Sequence, residues 1–177
     1  MKMKLTELLF SFKGRIQRLY FWITSLVVGV VAGMLNGTLE FSAQSTGNGA
    51  IDPDTNAFEP TGPYAVALVV VALVNMWISF ALCAKRLHDR DRTGWWLVVQ
   101  AVAILAAMIP LVVALTLPEE QRQPWYIASA VVGAAVFVFT LWLFVEIGLL
   151  RGTKGPNRYG PDPLGDASGQ TPSDAKL

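Results

Sequence analysis

Lys85-Arg86-Leu87-His88-Asp89-Arg90-Asp91-Arg92-Thr93-Gly94-Trp95-Trp96 is a dense run of charge set between two long apolar segments. It holds the chain's only histidine and ends in two tryptophans, a residue type that gathers at membrane–water interfaces. Read as the link between two membrane-spanning helices, it decides the fold. Upstream, residues 64–84 are apolar apart from Asn75, Ser79 and Cys83, and downstream residues 95–117 are apolar apart from Gln100 and Thr116. Each has about the 20 residues that cross the hydrocarbon core at 1.5 Å rise per residue.

Two further stretches have the same character. Residues 20–39 open on the aromatic anchor Tyr20-Phe21-Trp22, and residues 125–150 begin at Trp125. The expectation is an all-α polytopic membrane protein, a four-transmembrane-helix bundle, forming one domain over residues 1–163. Met1 to Leu19 mixes five basic residues with Leu5, Leu8, Leu9, Phe10 and Phe12, which predicts an N-terminal interfacial helix, with Thr6 as its cap and Gly14 as its breaker. That basic region is too long, and lacks too clearly a small-residue cleavage site, to read as a signal peptide. Residues 40–63 read as an irregular extracytoplasmic loop, residues 118–124 as a short turn and residues 164–177 as a disordered tail. Pro110 is expected to kink the third span.

Composition agrees: 53% of residues are hydrophobic and 15% charged, against about 25% charged in soluble domains. The mean hydropathy is +0.45. One cysteine, Cys83, and one histidine make neither an internal disulfide nor a metal-binding set, so no metal and no cofactor are expected. Five Lys or Arg residues precede the first span. None falls in the first loop, four lie in residues 85–94, one in the third loop and four after the last span. Positive residues remain on the cytoplasmic side, which places both termini and the 85–94 loop in the cytoplasm.

Several residues stand out for chemistry. His88 beside Asp89 and Asp91 has the makings of a general base, and the flanking arginines could hold a phosphate, but a charge-paired loop that sets topology is the simpler reading. Glu146 lies about five residues inside the fourth helix end, where an ionisable group needs a partner, with Arg15, Arg18 or Arg86 as candidates. Gln100 lies at similar depth, and Asn75 near the middle of its span suits an interhelical hydrogen bond. Gly29, Gly33 and Gly37 are spaced by four and leave one helix face open to close packing.

Three motifs then coincide: Phe12-x-Gly14-Arg15-Ile16-x-Arg18 followed by Phe21-Trp22; Lys85-Arg86-Leu87-His88-Asp89-Arg90 with Thr93-Gly94-Trp95-Trp96; and Gly155-Pro156-Asn157-Arg158-Tyr159-Gly160-Pro161-Asp162-Pro163. In this order they resemble the domain-of-unknown-function 805 family, small bacterial inner-membrane proteins of the YhaH type. The likeness runs from about Leu5 to Pro163 and departs from the family pattern in the long first loop and in the tail. It implies an all-helical fold and a bacterial inner-membrane location, and it carries no established activity.

The expectation is therefore a non-enzymatic inner-membrane protein. Its basic cytoplasmic surface, formed by Arg15, Arg18, Arg86, His88, Asp89, Arg90, Asn157, Arg158 and Tyr159, would bind an anionic phospholipid or dock a membrane or cytoplasmic partner. Two alternatives stand beside it. One is a membrane enzyme or small transporter using His88, Asp89 and Glu146. The other is a structural subunit that forms a homo-oligomer through the glycine face. Membrane lipids are the expected surroundings, and nucleic acid is not an expected partner.

Overall fold

A computed structural model describes residues 4–165. It is mostly helical, with the order α1 (Leu5–Phe10), α2 (Arg18–Ser45), β1 (Gly49–Ile51), β2 (Phe58–Pro60), α3 (Pro63–Asp89), α4 (Trp95–Thr116) and α5 (Glu119–Phe144), the last continued by a π-helical turn, Val145–Leu149. Four of these helices are long and apolar enough to cross a membrane, the fourth being the continuous Glu119–Leu149. The fold is that of a polytopic membrane protein. Its large exposed apolar side chains, Leu26, Val66 and Leu105 among them, are what a lipid-facing surface requires.

The chain divides into two compact units. One consists of Lys13–Arg18 and the chain from Cys83 onward; the other holds residues 4–12 and Leu19–Leu82. In the second unit, α1 begins after Lys4, with Thr6 inside the helix, so Thr6 is not the cap. The helix ends at Phe10, and Phe12 packs edge-on against Trp77 at 5.1 Å between ring centroids.

Residues 40–63 are more ordered than a loop reading allows. α2 continues to Ser45 because nothing in Glu40 to Ser45 breaks it, and it stops at Gly47, whose φ of +69° closes a Schellman turn. Asn48 N–H donates to the Ala43 carbonyl at 2.8 Å and Gly47 N–H to that of Gln44 at 3.3 Å. β1 and β2 then form an antiparallel hairpin with Gly49 opposite Pro60. The Asp52 carboxylate accepts the N–H groups of Asp54 and Thr55, folding Asp52-Pro53-Asp54-Thr55 into its turn. Gly49 must lack a side chain, since a Cβ there would stand 2.2 Å from the Phe58 ring. The expected turn over residues 118–124 is also helical from Glu119, where two glutamates suit the positive end of the helix dipole.

The other unit contains the α4–α5 hairpin. Only Leu117 and Pro118 separate the helices, which return antiparallel. Trp96 of α4 meets Phe139 and Trp142 of α5, and Gln100 Nε2 donates to Thr140 Oγ1 at 2.6 Å. α4 runs through Pro110, which supplies no backbone N–H to the helix. Of the tail expected to be disordered, residues 164–177, the part beyond Gly165 lies outside the described residues.

Candidate functional site

The site assembles where a long helix leaves its carbonyls unpaired. The π-helical turn after α5 buries Glu146, Ile147 and Gly148, and the chain then departs extended at Leu150. The carbonyls there need donors. Arg18 donates to Leu149 O at 2.9 Å, Arg86 to Leu150 O, and Arg90 to Arg151 O at 2.7 Å. Cations at a helix C-terminus also meet the favourable end of its dipole. At the end of α3 the same need is met by the C-terminal segment: Asn157 Nδ2 donates to His88 O at 2.9 Å, and the Thr153 N–H to Asp89 O at 2.8 Å.

Arg15 is the centre of this arrangement. It reaches the site through the Lys13–Arg18 turn, which Gly14 allows by its φ of +93°. The Arg15 Nε donates to Asp89 Oδ1 at 3.1 Å. Its Nη1 donates to Gly155 O at 2.8 Å and Gly160 O at 3.2 Å, and its Nη2 to Thr153 O at 2.7 Å and Thr153 Oγ1 at 3.2 Å. All five guanidinium N–H bonds are thus occupied. The positive φ values of Gly155 and Gly160 turn the 153–160 backbone into a ring of carbonyls around this one side chain.

Asp89 accepts from a second arginine, with Arg86 Nη1 on its other oxygen. Arg15, Arg86 and Asp89 are 3%, 0% and 3% exposed. Two guanidiniums share one carboxylate, and backbone carbonyls and the Thr153 hydroxyl supply further acceptors, so most of the excess positive charge is hydrogen-bonded although not neutralised. The Arg86 Nε is buried without a hydrogen-bond partner among the described residues. Gly152 passes so close to the carboxylate that a Cβ would lie 1.9 Å from Asp89 Oδ2.

Around this centre further charges pair. Glu146, 5% exposed, accepts from Arg90 at 3.1 Å and Arg92 at 3.2 Å, and not from Arg15, Arg18 or Arg86 as the sequence suggests. Arg158 pairs with Asp91 at 3.1 Å and lies 4.9 Å over the Tyr159 ring. Tyr159 stacks in turn on His88, 3.9 Å apart and 6° from parallel. His88 Nδ1 lies 3.3 Å from the Gly14 carbonyl, an arrangement that makes Nδ1 the protonated nitrogen. The Asp162 carboxyl is held below the usual range because the N–H groups of Leu164 and Gly155 donate to it.

The structure therefore brings together all nine residues of the expected surface, and adds Thr153, Gly152 and Arg92. It does not bring in Asn75, Gly29, Gly33 or Gly37, which belong to the other unit. No described atom lies within 4 Å of a Cβ built on those three glycines, beyond their own helix.

A profile described as protein of unknown function, DUF805, matches residues 9–161. The chain belongs to the DUF805 family. The matched range spans all three segments that meet at Arg15. The chain is similar to the uncharacterized protein YiiR of Escherichia coli strain K12, 36% identical over 168 residues and 90% of each chain, and equally to YiiR of Escherichia coli O157:H7. No solved structure matches. In this DUF805 protein the motif residues hold one another. Replacing Tyr159 with leucine removes the ring on His88, and should loosen the 152–163 segment by about 1 kcal/mol. Faster proteolysis of that segment in detergent would register the loss, and an unchanged cleavage rate would show that the stack holds nothing.

Proposed function

We propose that this chain is a non-enzymatic inner-membrane protein in which the buried charge cluster ties together three cytoplasmic segments, while the basic residues around it bind anionic phospholipid headgroups. One observation carries this reading. Arg15, Arg86 and Asp89 are buried and occupied by each other and by backbone, whereas Lys13, Arg151, Lys154 and Arg158 of the same unit remain exposed. An inner side facing the cytoplasm is supported by the Lys and Arg distribution, and a bacterial inner membrane by the Escherichia coli relatives.

Catalysis finds less support in the geometry. The His88 ring lies under Tyr159 with Nδ1 directed at a carbonyl, and both Asp89 oxygens hold arginines. Headgroup attraction amounts to about 1 kcal/mol per basic residue near an anionic surface. The triple variant Lys13→Gln, Arg151→Gln, Lys154→Gln should therefore lower the preference for phosphatidylglycerol over phosphatidylcholine, measured by spin-labelled lipid exchange in nanodiscs. High salt should lower it in the wild type too. An unaltered preference in the variant would rule out the lipid reading, and co-purification of a protein lost in the same variant would replace it with partner docking.

A further inference from the structure

The unit formed by residues 4–12 and Leu19–Leu82 holds an apolar cleft of about 490 Å³ between α1, α2 and α3. Its walls include Leu8 and Leu9 of α1, Val28 and Val31 of α2, and Val71 and Val74 of α3. The volume falls in the range of small-molecule sites, which are typically apolar with a few placed polar groups. Here two lining side chains carry a polar group: Thr24 of α2 and Asn75 of α3. No described residue hydrogen-bonds the Asn75 side-chain amide.

Depth gives that amide its meaning. Asn75 stands in the middle of α3, roughly 18 Å from Pro63 and roughly 21 Å from Asp89 along the axis. In hydrocarbon no water reaches an amide, and leaving it unpaired is costly. A phospholipid does not relieve this, because its headgroup and ester carbonyls remain at the interface, roughly 15 Å from the bilayer centre. The molecule that would relieve it has its polar group inside the hydrocarbon. It must be uncharged, must accept a hydrogen bond and must continue into a chain that can lie along valine and leucine walls.

We propose that this cleft binds a long-chain, carbonyl-bearing lipophile of the isoprenoid-quinone class, with the quinone carbonyl accepting from Asn75 Nδ2 and the chain running between α2 and α3. This is a binding site only, with no electron transfer assigned to it. It is independent of the basic residues invoked for headgroup binding.

The test uses the full chain in mild detergent and a short-tailed ubiquinone as probe. Native mass spectrometry should show about one quinone per chain, with affinity falling roughly tenfold in Asn75→Leu, the loss of one hydrogen bond. Val74→Phe, which fills the cleft, should abolish binding, whereas Leu26→Phe, at an exposed site that does not line the cleft, should leave it intact. A quinone carrying a photoactivatable diazirine, used on the wild-type protein, should label the Val70–Ile78 stretch of α3. Labelling confined to other segments would overturn the proposal. So would phospholipid as the sole retained lipophile in wild type and Asn75→Leu alike, or crosslinks through the cleft to a second copy of the chain.

Discussion

Asp89→Leu is expected to be the most damaging single change in the protein, at about 3–5 kcal/mol, the range for removing one partner of a buried ion pair. Two guanidiniums lose at once the carboxylate they share, and both are buried. Arg86 is the worse placed, because its Nε already lacks a partner and its chain is wholly enclosed. Asp89→Asn retains the shape but a single acceptor oxygen for the two arginines, so it should fall between wild type and leucine. Thermal unfolding in detergent, followed by helical circular dichroism, would rank the three. If Asp89→Leu melts with the wild type, the carboxylate holds nothing and the cluster is incidental.

Arg15→Met is the second large effect, also about 3 kcal/mol or more, and it should have a different signature. The side chain donates to three carbonyls of the 153–160 segment, so its loss should release that segment while α3, α4 and α5 remain folded. Hydrogen exchange at Gly155 and Gly160 should rise far more than exchange within α4. Combining the two changes, Arg15→Met with Asp89→Leu, should cost less than their sum, because each leaves the other residue buried without its charge partner. Strict additivity would show that the pair is not coupled. Equal exchange in Arg15→Met and wild type would mean that the segment is held by other contacts.

The spans were legible because hydropathy over about 20 residues is a strong signal that tertiary packing does not override. The hairpin Gly49 to Pro60 was not, since three-residue strands flanked by polar turn residues give no alternation to follow. The three motif segments were expected on one face, and they do meet. What could not be read was burial. A run such as Lys85 to Arg92 looks solvated because its compensating acceptors are main-chain carbonyls, which every sequence has and none displays. Thr153 was overlooked for the same reason: its hydroxyl accepts from Arg15 and donates to Asp89 O, a role that no spacing rule marks. Gly152 offered a faint signal, a glycine just past a helix end, although its reason is the Asp89 carboxylate beside it.

The ring of carbonyls around Arg15 also bears on how the chain is made. Arg15 emerges from the ribosome well before the carbonyls of Thr153, Gly155 and Gly160, which follow about 140 residues later. Throughout insertion of all four spans this guanidinium must wait in water or among headgroups. It is enclosed once α5 has been threaded and the following segment released. A chain cut before Thr153 would retain α2 to α5 yet leave Arg15 uncovered, so the enclosure of Arg15 records that translation has run past α5.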